Sequence, residues 1–261
     1  MENTVRHPRP ILTPGPNVRL SFDACAGTNV GLVRTVNEDA VLDFSKIGLW
    51  AVADGVGGAD AGDHASRLIV DTLGATPAPV SGAGFLLGVR RSLEMVNRQL
   101  RIEATAGRRD CVIASTVVCL LFFERWFCCL WAGDSRLYRV RDGRIAQMTR
   151  DHSEVQLLVD HGVILGEEAR RHPRANVITR AVGAEDVLQL EALEDMLRPG
   201  DAFLLCTDGL TKVVDDREIA AALSTLSPAE TVRGLIQMTL DRGAPDNVSV
   251  AAIKTGPASV D

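Results

Sequence analysis

No stretch of this 261-residue chain is long and apolar enough to cross a bilayer. The longest apolar run, 111–123, is interrupted by Ser115 and Thr116 and ended by Glu124-Arg125, whereas a spanning helix needs about 20 apolar residues. Basic excess is also missing: 28 Lys and Arg stand against 34 Asp and Glu, for a net charge of −6. A broad electrostatic footprint for nucleic acid or anionic lipid is therefore not expected. No apolar segment follows the first ten residues as a secretory leader would require, so a cytoplasmic location is expected. The six cysteines (Cys25, Cys111, Cys119, Cys128, Cys129 and Cys206) contain no C-x-x-C spacing and read as buried reduced thiols rather than zinc ligands or disulfides. His64, His152, His161 and His172 show no paired ligand spacing and read as surface or helix residues. There is no G-x-S-x-G, so a serine nucleophile elbow is absent. Residues 119–125 match C-x5-R in form, but no glycine among the intervening residues could bring backbone N–H groups around a phosphate.

What is present is an ordinary globular composition, 46% hydrophobic and 24% charged, in a chain long enough to bury about 75% of its unfolded surface. Residues 1–18 carry Pro8, Pro10, Pro14 and Pro16 and no apolar period, so they read as an extended lead-in, and 255–261 as a tail. Nothing between them resembles a linker, which predicts a single domain over 19–254. Strand patterns fall at 20–26, 40–44, 48–53, 116–123, 126–132, 137–141, 202–206 and 248–254. The short connections Glu124-Arg125 and Asp142-Gly143 predict antiparallel hairpins. Helical spacing falls at 62–73, 84–104, 153–161, 216–223 and 228–242, the last opened by Ser227 as N-cap and Pro228 at the first position. Helices grouped between runs of strands predict an α+β layered sandwich.

The chemistry is suggested by acids at strand ends, two of them beside glycine: Asp54-Gly55 after one apolar strand, Asp208-Gly209 after another, and Asp246-Asn247 before a third. Such a turn presents both a carboxylate and a main-chain oxygen, the donors that hard divalent cations prefer. Glu38-Asp39 adds two more acids at the edge of a strand. A carboxylate cluster in that position repels itself unless cations are bound.

These residues lie in five ordered motifs: Gly31-Leu32-Val33-Arg34-Thr35-Val36-Asn37-Glu38-Asp39, Val52-Ala53-Asp54-Gly55-Val56-Gly57-Gly58, Gly133-Asp134-Ser135-Arg136, Cys206-Thr207-Asp208-Gly209-Leu210 and Gly243-Ala244-Pro245-Asp246-Asn247-Val248. In them the chain resembles the metal-dependent Ser/Thr protein phosphatases of the PPM, or protein phosphatase 2C, family in its compact bacterial form. The resemblance implies a four-layer αββα sandwich, two central antiparallel sheets flanked by helix pairs, with two Mg²⁺ or Mn²⁺ between the sheets. It implies that Asp54 bridges both ions, that Glu38 and the Gly55 carbonyl serve one, and that Asp208 and Asp246 serve the other. Asp39 would hold metal-bound waters, a hydroxide between the ions would attack phosphorus, and Arg34 would clamp the phosphate. Phosphoserine and phosphothreonine on proteins are the implied substrates, with a Ser/Thr kinase and its targets as partners. A monomer is expected.

The chain departs from the family pattern at two positions. Where many members have a histidine two residues after the bridging aspartate, this chain has Val56, leaving a water to protonate the leaving group. Asp134 could serve a third ion, but its usual acidic companion is replaced by Lys212, whose ammonium would repel a cation or pair with Asp134. Residues 152–175 match a flap beside the metal site, and the flap residues Arg170, Arg171 and Arg174 are expected to meet acidic or phosphorylated protein substrates. The alternative is a catalytically silent, phosphatase-like regulator that binds phosphoproteins.

Overall fold

The computed structural model describes residues 20–57, 61–106, 112–169 and 171–257. The lead-in, Gly58, Cys111, Arg170 and the end of the tail lie outside these. Among the described residues the strands form two antiparallel sheets. One joins β2 (Asp39–Phe44), β3 (Leu49–Val56), β5 (Val117–Phe123), β6 (Trp126–Ala132) and β9 (Glu191–Met196) in that order, with the short β4 (Ala114–Ser115) paired to β3. The other runs β1 (Leu20–Asn29), β11 (Val248–Pro257), β10 (Ala202–Cys206), β7 (Arg136–Arg141) and β8 (Arg144–Gln147). The first strand pairs with the last over its whole length, from Leu20 opposite Pro257 to Asn29 opposite Val248, so β11 runs three residues beyond the expected 254.

The central strands read as continuous apolar runs because both of their faces are covered. Along β3, Leu49, Ala51 and Ala53 face α1 (Ala61–Gly74) and α2 (Gly82–Ala106), while Trp50 and Val52 face the other sheet. Across that sheet, Leu204, Cys206, Val250 and Ala252 pack on α6 (Asp216–Thr225) and α7 (Pro228–Asp241). Helices, sheet, sheet and helices thus make the four expected layers. Both outer helices of the second pair begin with capping boxes, from Asp215 with Glu218 and from Ser227 with Glu230, each satisfying backbone donors that the first turn leaves open.

Between the sheets the few aromatic residues interlock edge to face: Trp50 with Phe122 at 4.9 Å, Phe122 with Phe203 at 5.4 Å and Phe127 with Phe203 at 4.9 Å between ring centres. Each such pair adds about 0.5–1.5 kcal/mol beyond the area it buries. The predicted hairpins are present, with Glu124 at φ 53° and Asp142 and Gly143 at φ 52° and 72°. Strands β8 and β9 were not predicted; both lie at sheet edges and carry polar, exposed residues that mask the alternation. No helix among the described residues is long and apolar enough to cross a membrane.

Candidate active site

The acidic motifs meet at one end of the layer between the sheets. Side chains alternate along a strand, so Asp54 follows Trp50 and Val52 on the inter-sheet face of β3, at its last turn. Asp39, the first residue of β2, is its direct partner across the ladder, an arrangement that places two carboxylates opposite each other. The second sheet brings Asp208 just after β10 and Asp246 just before β11, and Asp134 lies on the connection from β6 to β7 that crosses between sheets.

The backbone is tightly fixed here. Ser115 Oγ and Thr116 N donate to Asp54 O at 2.9 and 2.8 Å, while Asp54 N donates to Thr116 Oγ1 at 3.1 Å. Gly55 N donates to Glu38 O at 3.0 Å, and a Cβ on Gly55 would fall 2.1 Å from Gly62 O. At Gly209 a Cβ would fall 1.8 Å from Asn247 O. Only glycine lets these turns approach so closely. Asn247, to which the sequence assigned no task, links three segments: it accepts from Glu38 N at 2.9 Å and donates to Val30 O and Val36 O at 2.8 and 3.0 Å. Thr207 Oγ1 donates to Asp39 Oδ2 at 2.9 Å.

Crowding these acids has an electrostatic cost. Burial pushes the Asp39 carboxyl up to about 7, with Thr207 and Ser249 opposing and the charges of Asp208 and Asp246 adding. Burial, then Asp208 and Asp151, raise Asp134 to about 7, while Lys212 opposes. Asp54 is raised well above the usual carboxylate range by burial and by Asp39, Asp208, Asp134 and Asp246 together. Burial also raises Asp208 against the opposing effect of Lys212. At Asp246 the same burial is outweighed by Lys212 and Arg34, which hold its carboxyl below the usual range.

Two cations of the chain itself reach the cluster. Lys212 Nζ lies 2.7 Å from Asp208 Oδ2 and 2.7 Å from Asp246 Oδ2; the partner expected for it from sequence, Asp134, acts on it only through space. Arg34, on the exposed connection between β1 and β2, places Nε 2.9 Å from Asp246 Oδ1. No three His, Cys, Asp or Glu among the described residues are grouped closely enough to hold a metal ion as they stand. The donor set nevertheless suits hard divalent ions in kind, because it consists of oxygens, repels itself, and includes Asp208 Oδ1, buried without a hydrogen-bond partner.

A cavity of about 310 Å³ opens beside the cluster, with Asp134, Asp208 and Lys212 on one side and Ser153, Gln156, Gly166 and Asn176 on the other. The latter belong to the segment expected as a flap, which carries α3 (Glu154–Asp160) and the single turn α4 (Gly166–Ala169). Its root is firmly held. Arg136 grips Asp151 through Nη2 at 2.6 Å and Nε at 2.9 Å. His152, expected at the surface, is instead buried and stacked on Trp131 at 6.0 Å, and its Nδ1 accepts from Gly133 N at 3.1 Å. Of the flap arginines, Arg171 is exposed and Arg174 pairs with Glu154 at 3.0 Å; Arg170 lies outside the described residues. Val56 is 39% exposed at the end of β3 and offers no proton. Cys119 is fully buried in β5, and burial raises its thiol far above the ordinary range, so the C-x5-R spacing has no nucleophile. Cys128, Cys129 and Cys206 are buried as expected, while Cys25 is half-buried.

Residues 27–242 match the family described as protein phosphatase 2C. The serine/threonine protein phosphatase PstP of Mycobacterium tuberculosis is 35% identical over 233 residues, 89% of this chain and 45% of its own, so the chain spans about half the length of that relative. Among solved structures, PppA, described as a key regulatory component of T6SS in Pseudomonas aeruginosa, is 45% identical with a TM-score of 0.85, the match covering 92% of this chain and 100% of that one. The catalytic domain of PstP in complex with two manganese ions is 34% identical with a TM-score of 0.82, over 91% and 99% of the two chains. By sequence over most of its length, and by the fold those matches share, the chain belongs to the protein phosphatase 2C family.

Proposed function

We propose that the chain is a metal-dependent protein-serine/threonine phosphatase, a hydrolase of phosphoserine and phosphothreonine monoesters on proteins. The observation that carries this reading is the set of mutually repelling carboxylates from both sheets, with a buried Asp208 oxygen left unpartnered. On this reading residues 19–254 form one catalytic domain with 152–175 as its flap. Asp54 would hold two Mg²⁺ or Mn²⁺, Glu38 and the Gly55 carbonyl completing one site and Asp208 and Asp246 the other. Two such cations supply a water acidic enough to attack at neutral pH and neutralise the charge that builds on the phosphate.

The protein's own part is placement. Asp39, held by Thr207, would accept hydrogen bonds from water in the cluster. Arg34 can turn its planar fork from Asp246 to two phosphate oxygens, since its side chain is 51% exposed. Asn247 keeps the Arg34 loop and Glu38 in register with Asp246. The flap arginines Arg170, Arg171 and Arg174 would meet the protein around the phosphoresidue rather than the phosphate itself.

The identity to PppA, and PppA's stated role in regulation, support a signalling setting in which the chain opposes a Ser/Thr kinase. Turnover of a phosphothreonine peptide by the purified chain with Mn²⁺, then with chelator, tests the proposal. Activity that chelator abolishes is expected; phosphopeptide binding without turnover in either condition would replace the enzyme with a binding module.

A further inference from the structure

Lys212 follows the short helix α5 (Asp208–Thr211), one turn after Asp208. That spacing returns its ammonium to the carboxylate at the start of the turn. It also reaches Asp246, from before β11, so one Nζ joins the two acids assigned to the same ion at 2.7 Å each. We propose that Lys212 is a tethered competitor of the divalent cation at Asp208 and Asp246, so that loading this position exchanges an ammonium for a metal ion. The inference rests on the two-metal reading of the site and adds to it the residue that sets affinity at one of the two positions.

Three features make the exchange physically accessible. The Lys212 side chain is flexible and 27% exposed, so it can leave without unfolding α5. It lines the 310 Å³ cavity together with Asp134, so a displaced ammonium keeps a carboxylate nearby. Arg34 already holds the second oxygen of Asp246 at 2.9 Å, so Asp246 keeps a cationic partner while Lys212 moves. In either position the ammonium keeps a positive charge near Asp134, where a third cation would meet repulsion.

The test is titration calorimetry of Mn²⁺ into the chelated 261-residue chain, comparing wild type, Lys212→Met and Lys212→Arg, with melting temperatures measured in chelator and in saturating Mn²⁺. All three proteins are expected to bind two ions. In Lys212→Met one of the two ions should bind about tenfold tighter or more, the size expected when a charge-assisted contact no longer has to be broken. Its melting temperature should fall in chelator and match wild type in Mn²⁺, which also reports that the variant folds. Lys212→Arg, which keeps the charge, should retain wild-type affinity. Unchanged affinity in Lys212→Met would overturn the inference alone, and weaker binding would do so by making Lys212 a support for the ligands. Failure of wild type to bind Mn²⁺ would overturn the two-metal reading and the inference with it.

Discussion

The layer between the two sheets has an apolar middle and an acidic mouth, built from the same strands. Strand β3 contributes Trp50 and Val52 to the first and Asp54 to the second. In the middle, burial and edge-to-face contacts stabilise the fold. At the mouth, burial raises Asp39, Asp54, Asp134 and Asp208 and thus opposes their ionisation. The two regions show that one layer can be divided between holding the sheets together and holding charges that the fold alone does not favour.

Substitutions can separate the two. Asp54→Asn or Asp208→Asn should lower turnover of a phosphopeptide by about 10³-fold or more, the equivalent of losing several kcal/mol of charge stabilisation. Denaturant unfolding in chelator should meanwhile find Asp54→Asn at least as stable as wild type, because a repelling charge has gone, whereas Asp208→Asn also gives up its ion pair with Lys212. Near wild-type kcat in either would remove that residue from the centre. Phe122→Ala reverses the pattern: about 3–5 kcal/mol of stability lost in urea unfolding, through the cavity left against Trp50 and Phe203, with kcat retained below the melting transition. Arg34→Ala should cost ~10–150-fold in kcat/KM, from a charge-assisted contact of about 1.5–3 kcal/mol, and leave Mn²⁺ stoichiometry unchanged. The smallest effect is expected at the flap. Neutralising Arg170, Arg171 and Arg174 together should lower kcat/KM on a phosphoprotein by roughly threefold to tenfold, with little change on a small aryl phosphate. Equal losses on both substrates would make the segment structural.

The apolar middle was largely legible in the sequence, since strands covered on both faces give unbroken runs such as residues 117–122. The edge strands β8 and β9 were not: β9, Glu-Ala-Leu-Glu-Asp-Met, pairs only with β6 and leaves Glu194 and Asp195 exposed. At the mouth, the motifs named the acids because glycine-flanked turns leave a local trace. The residues that position them left none. Asn247, Thr207 and His152 act on segments up to 217 residues away in sequence, and the side-chain type alone does not reveal such partners. Lys212 was noticed only as a departure from the family pattern; its bonds to Asp208 and Asp246 depend on how α5 and the β11 turn face each other.

The most direct test of the account is to titrate Mn²⁺ back into chelated wild-type protein while following phosphothreonine-peptide turnover and melting temperature on the same samples. The account predicts that both rise together from an inactive, less stable starting point and level off at two ions per chain. Full turnover in chelator, or a melting temperature indifferent to Mn²⁺, would contradict it.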